Sequence, residues 1–304
     1  MLTHFDSLFD LLAAFPDEQS CINHIRDLRW ADGEFCPHCG GMRIYHFSDR
    51  KSFKCADCRQ RFSIKVGTIF EDSKLPLRKW FMAIWLISNH TKGIASTTLA
   101  RDIQITQKSA WFVLHRIRHA ARARSFNKPL NGIVEVDETY VGGKASNRHG
   151  GRSGKGGGAG GKTPVIGAVE RRGEAIARVV PAGIGWPEAQ TFIEETVSPP
   201  ADLLVTDAHR IYSGLVGYPQ HQAINHHKGE YRRGEAHTNS IESVWALLKR
   251  QIIGIHHWVS PKHLNRYVAE MTWRFNRRDM KPADRMNDAF RCIEGSLPYK
   301  TLIA

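Results

Sequence analysis

Acidic residues are scarce in this chain of 304 residues. Asp and Glu total 30 against 43 Lys and Arg, giving a net charge of +13 and a pI of about 9.6. That deficit excludes an acidic, self-solvating chain and points to an anionic partner, most often nucleic acid. Long apolar runs are missing as well. The strongest, WFMAIWLIS at residues 80–88, is far too short to span a membrane. The opening MLTHFDSLFDLLAAF carries two acids and no Lys or Arg, so it does not read as a secretory signal. These absences place the protein in the cytoplasm with no membrane partner. Cysteines number six, and in a reducing compartment they serve as metal ligands or free thiols rather than disulfides. Nothing repeats at a fixed period. What is present, 41% hydrophobic and 24% charged residues, is ordinary globular composition, long enough for two or three domains.

Four of the cysteines form two C-x-x-C pairs, CPHC at 36–39 and CADC at 55–58, with fifteen residues between. This spacing predicts a zinc ribbon in which Cys36, Cys39, Cys55 and Cys58 hold one Zn2+. A redox pair or an unmetallated loop is the alternative. Four thiolates complete the shell, so His38 is not expected to be a ligand, and Cys21 and Cys292 read as buried thiols. The module is basic (Arg43, Arg50, Lys51, Lys54, Arg59, Arg61, Lys65), which suits either contact with DNA or a scaffold role.

Residues 5–30 and 76–122 have helical patterning. Within the second stretch, IASTTLARDI, the turn QIT and a helix beginning QKSAWFVLHRIRHAAR resemble a helix-turn-helix. Thr106 is the expected N-cap. Ala110, Leu114 and Ile117 would face inward, and Gln107, Lys108, Trp111 and His115 outward toward DNA. Arg116, Arg118, Arg122 and Arg124 add positive charge. A plain helical bundle is the alternative.

Residues 142–161 hold ten glycines in twenty, and from Lys144 to Lys162 there are five basic residues and no acid. GGGAGGKT at 156–163 satisfies the nucleotide-binding pattern G-x-x-x-x-G-K-[ST]. That loop needs a buried strand before it and a helix after it. RHGGRSGK precedes it, and TPVIGAVERR, a strand pattern, follows. The expectation is therefore no nucleotide cofactor. The tract reads as a loop, or as a basic arm lying on a phosphate backbone, with Lys162 making at most one such contact.

Three carboxylates sit where element ends should hold them. GIVEVDETYVGG is an alternating strand delivering Asp137. ADLLVTDAHRIY is a buried strand ending at Asp207. HTNSIESVWALLKR is a helix with Glu242 near its start. A hairpin (VIGAVERRGEAIARVV) and a helix over 187–196 lie between the first two. This order can converge three carboxylates on two divalent ions, and oxygen ligands suit Mg2+ or Mn2+. The bland alternatives are strand-end turns for the two Asp residues and a capping box from Asn239 to Glu242.

Taken together, FPDEQSCINHIRDLRWADGEFCPHCG, VEVDETYVGGK, GKTPVIGAVER, VTDAHRIY, HTNSIESVWALLKR and LNRYVAEMTWRFNRR resemble the zinc-ribbon Asp-Asp-Glu transposases of bacterial insertion sequences. The resemblance covers nearly the whole chain. It implies a multidomain α+β protein: an N-terminal helical segment (1–34), the zinc ribbon (35–66), the helix-turn-helix region (67–128), an α/β ribonuclease-H-like catalytic domain (129–285) with the Gly-rich insertion (142–163), and a tail (286–304). It implies two catalytic Mg2+ or Mn2+ ions on Asp137, Asp207 and Glu242, with Asn239 the alternative third residue. Lys249, two turns after Glu242, and its neighbour Arg250 would contact the transposon end. The expected partners are double-stranded DNA, as terminal inverted repeats and target, and a second copy of the chain at least. The expected location is cytoplasmic, at the nucleoid. A catalytically silent DNA-binding protein or repressor derived from such an enzyme is the alternative function.

Overall fold

The computed structural model describes residues 5–122, 128–142, 161–181, 183–198 and 201–304. They form two units, Met1–Ala123 with Asp279–Ala304, and Arg124–Arg278.

In the first unit, α1 (Leu8–Ala14) starts at Ser7 and α2 (Glu18–Arg29) at Asp17, each closed by a reciprocal capping box. Asp17 Oδ1 accepts from the Ser20 N–H at 2.8 Å. Next comes an antiparallel sheet of β1 (Ile44–His46), β2 (Ser52–Cys55) and β3 (Arg61–Ser63), in that order. α3 (Leu77–Asn89) is apolar on nearly every side and is buried accordingly. α4 (Ser96–Asp102) and α5 (Gln107–Ala120) are joined by a short turn, and Thr106 caps α5 by accepting from the Ser109 N–H. Ala110, Leu114 and Ile117 are buried.

The second unit is built on a five-stranded mixed sheet. Its strands are β4 (Ile133–Val141), β5 (Thr163–Glu170), β6 (Ala175–Val179), β7 (Leu203–Asp207) and β8 (His221–Ile224), in the order β6-β5-β4-β7-β8. β4, β5 and β6 run antiparallel, and β7 and β8 run parallel to β4. α6 (Trp186–Thr196) packs Phe192 and Ile193 with Val134, Val136 and Ile166 on one side of the sheet. On the other side, α7 (Asn239–Gln251) and α8 (Pro261–Asn276) pack Trp245, Leu248 and Val268 with Val165 and Val169. Side chains alternate along a strand, so Val134 and Val136 belong to the α6 side and Glu135 and Asp137 to the α7 side. The sheet is thus covered on both faces, as its parallel half requires.

The second unit ends at Arg278. α9 (Pro282–Arg291) and α10 (Tyr299–Ile303) belong to the first unit. Phe290 lies 4.5 Å from the ring of Phe81, which lies 4.7 Å from Phe15. His24 and Asn287, 263 residues apart, share a buried hydrogen bond of 2.9 Å.

This return of the C-terminus corrects one expectation about α5. His115 and Arg116 do not face outward; they are 0% and 5% exposed. The Arg116 guanidinium donates to the carbonyls of Leu297, Ile69 and Glu71. Phe112 meets Tyr299 edge-on, and Lys108 Nζ lies 5.2 Å over the Tyr299 ring. Arg118, read as favouring DNA, is also buried.

The segment after Lys162 is β5, a strand where a nucleotide-binding loop requires a helix. The part of the Gly-rich tract at 143–160, with Lys144 and Gly156, lies outside the described residues, as does Arg124.

Candidate functional site

The four ribbon cysteines converge. Their sulfurs lie within 4.8 Å of one another, with Cys36 and Cys58 at 3.7 Å and Cys39 and Cys55 at 3.6 Å. A tetrahedron with Zn–S bonds of about 2.3 Å has edges of about 3.8 Å, so this donor set fits zinc. Two tight turns build it. The Gly40 N–H donates to the Cys36 carbonyl with Gly40 at φ +76°, and Arg59 takes the matching left-handed conformation at φ +60°. Amides point at the sulfurs. The backbone N–H of Cys58 is the main reason that the Cys55 thiol falls to about 7, which favours the thiolate a metal binds. Cys21 and Cys292 are buried away from this site.

The second cluster stands where the middle of β4 adjoins the carboxyl end of β7, the strand parallel to it. The register pairs Val136 with Thr206, which sets Asp137 on β4 beside Asp207 on β7. Carboxylate oxygens of Asp137, Glu138 and Asp207 lie within 4.8 Å of one another. Each carboxylate has an orienting donor. Trp245 Nε1 donates to Asp137 Oδ2 at 3.0 Å, Tyr212 Oη to Glu138 Oε2 at 2.7 Å, and the His209 N–H to Asp207 Oδ1 at 3.0 Å. Burial, then repulsion from Glu138 and Asp207, pushes Asp137 up to about 7. Burial also raises Glu138, and raises the Tyr212 hydroxyl well above its ordinary value, so Tyr212 stays a donor. These three carboxylates could hold a cation, and an all-oxygen donor set suits Mg2+ or Mn2+. Glu138 was not singled out from the sequence. Its signal was adjacency: in VDET it follows Asp137 directly, and Tyr212 holds its carboxylate within reach of the two aspartates.

α7 is bolted to β4 beneath this cluster. Glu135, 0% exposed, accepts from the N–H groups of Ser240 and Ile241 at 2.7 and 3.1 Å and from the Ser240 hydroxyl at 2.9 Å. Arg171 donates to it twice, at 2.9 and 3.1 Å, and His237 Nδ1 lies 3.3 Å away. A carboxylate at a helix N-terminus satisfies orphan amides and the helix dipole together. Further along, Trp245 reaches Asp137 by lying over Gly167, the cross-strand partner of Asp137. A Cβ on Gly167 would sit 2.5 Å from the Trp245 ring, so only glycine permits this approach.

The expected capping box from Asn239 to Glu242 does not form. Thr238 precedes the helix and Asn239 is its first residue, because Glu135 already serves the first-turn amides. Glu242 is half exposed and is not among the carboxylates that converge within 4.8 Å. Its Oε1 accepts from Thr238 Oγ1 at 3.1 Å and lies 4.0 Å from His226 Nε2. Asn239 is exposed. Lys249 and Arg250 are exposed on the last turn of α7, Gln107 and Lys108 on the first turn of α5, and Lys162 and Trp111 are partly buried. Gln107 Nε2 donates to Ser96 Oγ at 2.9 Å.

Residues 129–276 match the ISXO2-like transposase domain, and residues 16–61 match the transposase zinc-ribbon domain. A protein of Halobacterium salinarum described as an uncharacterized protein in transposable element ISH50 is 29% identical over 274 residues. The match covers 84% of this chain and 90% of that protein. Among solved structures, a pre-cleavage Mos1 transpososome aligns over 67% of this chain and 75% of that one, at 8% identity and TM-score 0.29. The Mos1 strand transfer complex aligns over 72% and 79%, at 9% identity and TM-score 0.23. Scores so low leave the two domain matches and the full-length relative as the firm likenesses. A transposase zinc ribbon followed by an ISXO2-like transposase domain, with a relative of similar extent inside a transposable element, is consistent with a zinc-ribbon transposase of an insertion sequence.

Proposed function

We propose that this chain binds the terminal inverted repeats of its element and catalyses metal-dependent DNA strand cleavage and strand transfer. The observation that carries the reading is the convergence of Asp137, Glu138 and Asp207, where the middle of β4 adjoins the end of β7, inside the transposase domain. The sheet order, with its antiparallel half β6-β5-β4 and parallel half β4-β7-β8, supports a ribonuclease-H-like core.

Two bound Mg2+ or Mn2+ ions would activate the attacking oxygen and neutralise charge on the phosphodiester. Asp137 and Asp207 are the proposed ligands from the strands, and Glu138 joins them. Glu242 is the proposed third ligand from α7, with Asn239 the alternative on the same helical turn. Trp245 holds Asp137 and Tyr212 holds Glu138, each leaving one carboxylate oxygen for a cation. Water attacks the phosphodiester at the element end, releasing a 3′-hydroxyl. That hydroxyl then attacks target DNA by the same in-line displacement. α4 and α5 act as a helix-turn-helix, with Gln107, Lys108 and Trp111 as its DNA contacts. Lys162, Lys249 and Arg250 contact backbone phosphates, and the active assembly is at least a dimer because two ends are joined.

The test uses purified full-length protein, an end-labelled duplex carrying the element's terminus, and Mg2+. Scission at the terminus, abolished by chelation and in Asp137→Asn and Asp207→Asn, is the expected result. Cleavage that survives both substitutions would overturn the assignment.

A further inference from the structure

A cleft in the first unit lies between α2 and the hairpin joining β1 to β2, with a volume of about 300 Å3. We propose that it is a clamp for one phosphodiester of duplex DNA, through which the zinc ribbon touches the backbone directly. The proposal rests on the transposase reading for its partner.

α2 contributes Gln19, Asn23 and Arg26, spaced four and three residues apart and therefore on one helical face. The hairpin contributes His46, Arg50 and Ser52. No Asp or Glu lines the cleft. Of the nearby acids, Asp49 is taken up by its own turn, while Glu34 and Asp27 stand against two of the residues that line the cleft. Asp49 accepts from the Lys51 and Ser52 N–H groups and from the Ser52 hydroxyl, Glu34 faces His46 Nε2 at 2.7 Å, and Asp27 lies 3.5 Å from Arg26. Two guanidinium groups from separate elements, with the Asn23 amide beside them, supply the charge and the kind of donor that a phosphate takes.

Arg50 carries a second, independent sign. It sits at φ +56°, the left-handed region that Gly or Asn would occupy more easily. The turn tolerates arginine there, and Gln19 Nε2 holds it by donating to the Arg50 carbonyl at 3.2 Å. An unfavourable backbone kept for a charged side chain at a cleft rim argues for use of that side chain. A backbone contact of this kind positions the protein without reading sequence.

The experiment measures binding of full-length protein to a duplex from the element's end and to a scrambled duplex, across a salt series. Arg26→Ala with Arg50→Ala should weaken both duplexes alike. It should also lower the slope of log K against log salt by about 1.8, the value for two phosphate contacts. Lys51→Ala, outside the cleft, is the comparison. Arg50→Gly suits the turn and removes only the side chain. It should lower the slope by about 0.9 with zinc content unchanged, and it decides the matter if the double variant fails to fold. An unchanged slope in Arg50→Gly would overturn the clamp. Inorganic phosphate competing beyond its ionic strength would also overturn it, by making the cleft a free-anion site. Cleavage is not read in this assay, so failure of the catalytic assignment and failure of the clamp remain separable.

Discussion

Glu135 accepts the backbone N–H of Ser240 at 2.7 Å, joining the middle of β4 to the first turn of α7 across 105 residues. The same strand presents Asp137 two residues later, and the same helix presents Trp245 to it. Ser240, Ile241 and Arg171 all donate to Glu135, which is fully buried. Glu135→Ala should therefore destabilise the second unit by about 3–5 kcal/mol, the cost of breaking a buried ion pair from one side. Urea unfolding followed by far-UV circular dichroism measures it. A loss under about 1 kcal/mol would show that α7 is held by its apolar face alone.

Gly167→Ala should displace the Trp245 ring and with it the donor to Asp137. Overpacking of this kind costs about 1–3 kcal/mol. Trp245→Phe removes the donor and keeps most of the packing. Both should slow cleavage, with the phenylalanine variant nearly as stable as the parent. Equal, unreduced cleavage in Trp245→Phe would remove the orienting role.

Asp137 titrates near 7 in the absence of metal, above its ordinary carboxylate value. A raised carboxyl contributes stability that is present below the unfolded value of 3.8 and is lost as pH rises through about 7. Metal-free protein should thus melt lower at pH 8.5 than at pH 6, and Mg2+ should raise the melting temperature more at the higher pH. Asp137→Asn should flatten both dependences. Calorimetry with and without Mg2+ is the check, and a larger Mg2+ effect at pH 6 would contradict the sign.

Glu242→Gln keeps size and a contact for Thr238 but removes a charge. Cleavage should fall by orders of magnitude while end binding and stability hold, since Glu242 is half exposed. Asn239→Ala is the matched variant. Activity lost there but kept in Glu242→Gln would move the third ligand to Asn239, and loss in both would leave Glu242 as ligand with Asn239 supporting it.

Purified protein should carry one zinc per chain. Cys36→Ser, or chelation, should release the ribbon while the second unit keeps its transition, because a metal site supplies folding free energy only to the segment that closes around it. Absence of zinc by metal analysis would refute the site.

The sequence by itself determined the local elements and the zinc site. Cys-x-x-Cys spacing, the Thr106 cap and the alternating pattern of β4 are all short-range signals, decided by backbone geometry and neighbouring side chains. It also placed Asp207 at the end of a buried apolar run, whereas Asp137, expected at an element end, lies midway along β4. Tertiary structure alone decided the rest. Strand register brought the two aspartates together and added Glu138, which no spacing rule marks. The fold replaced an expected Asn239 capping box with Glu135, because a partner 105 residues away reached the helix amides first. And it buried His115 and Arg116, whose helical face reads as free until α9 and α10 return to the first unit. Contacts so distant in the chain leave no periodic trace, because burial depends on which surfaces meet and not on the residues that flank them.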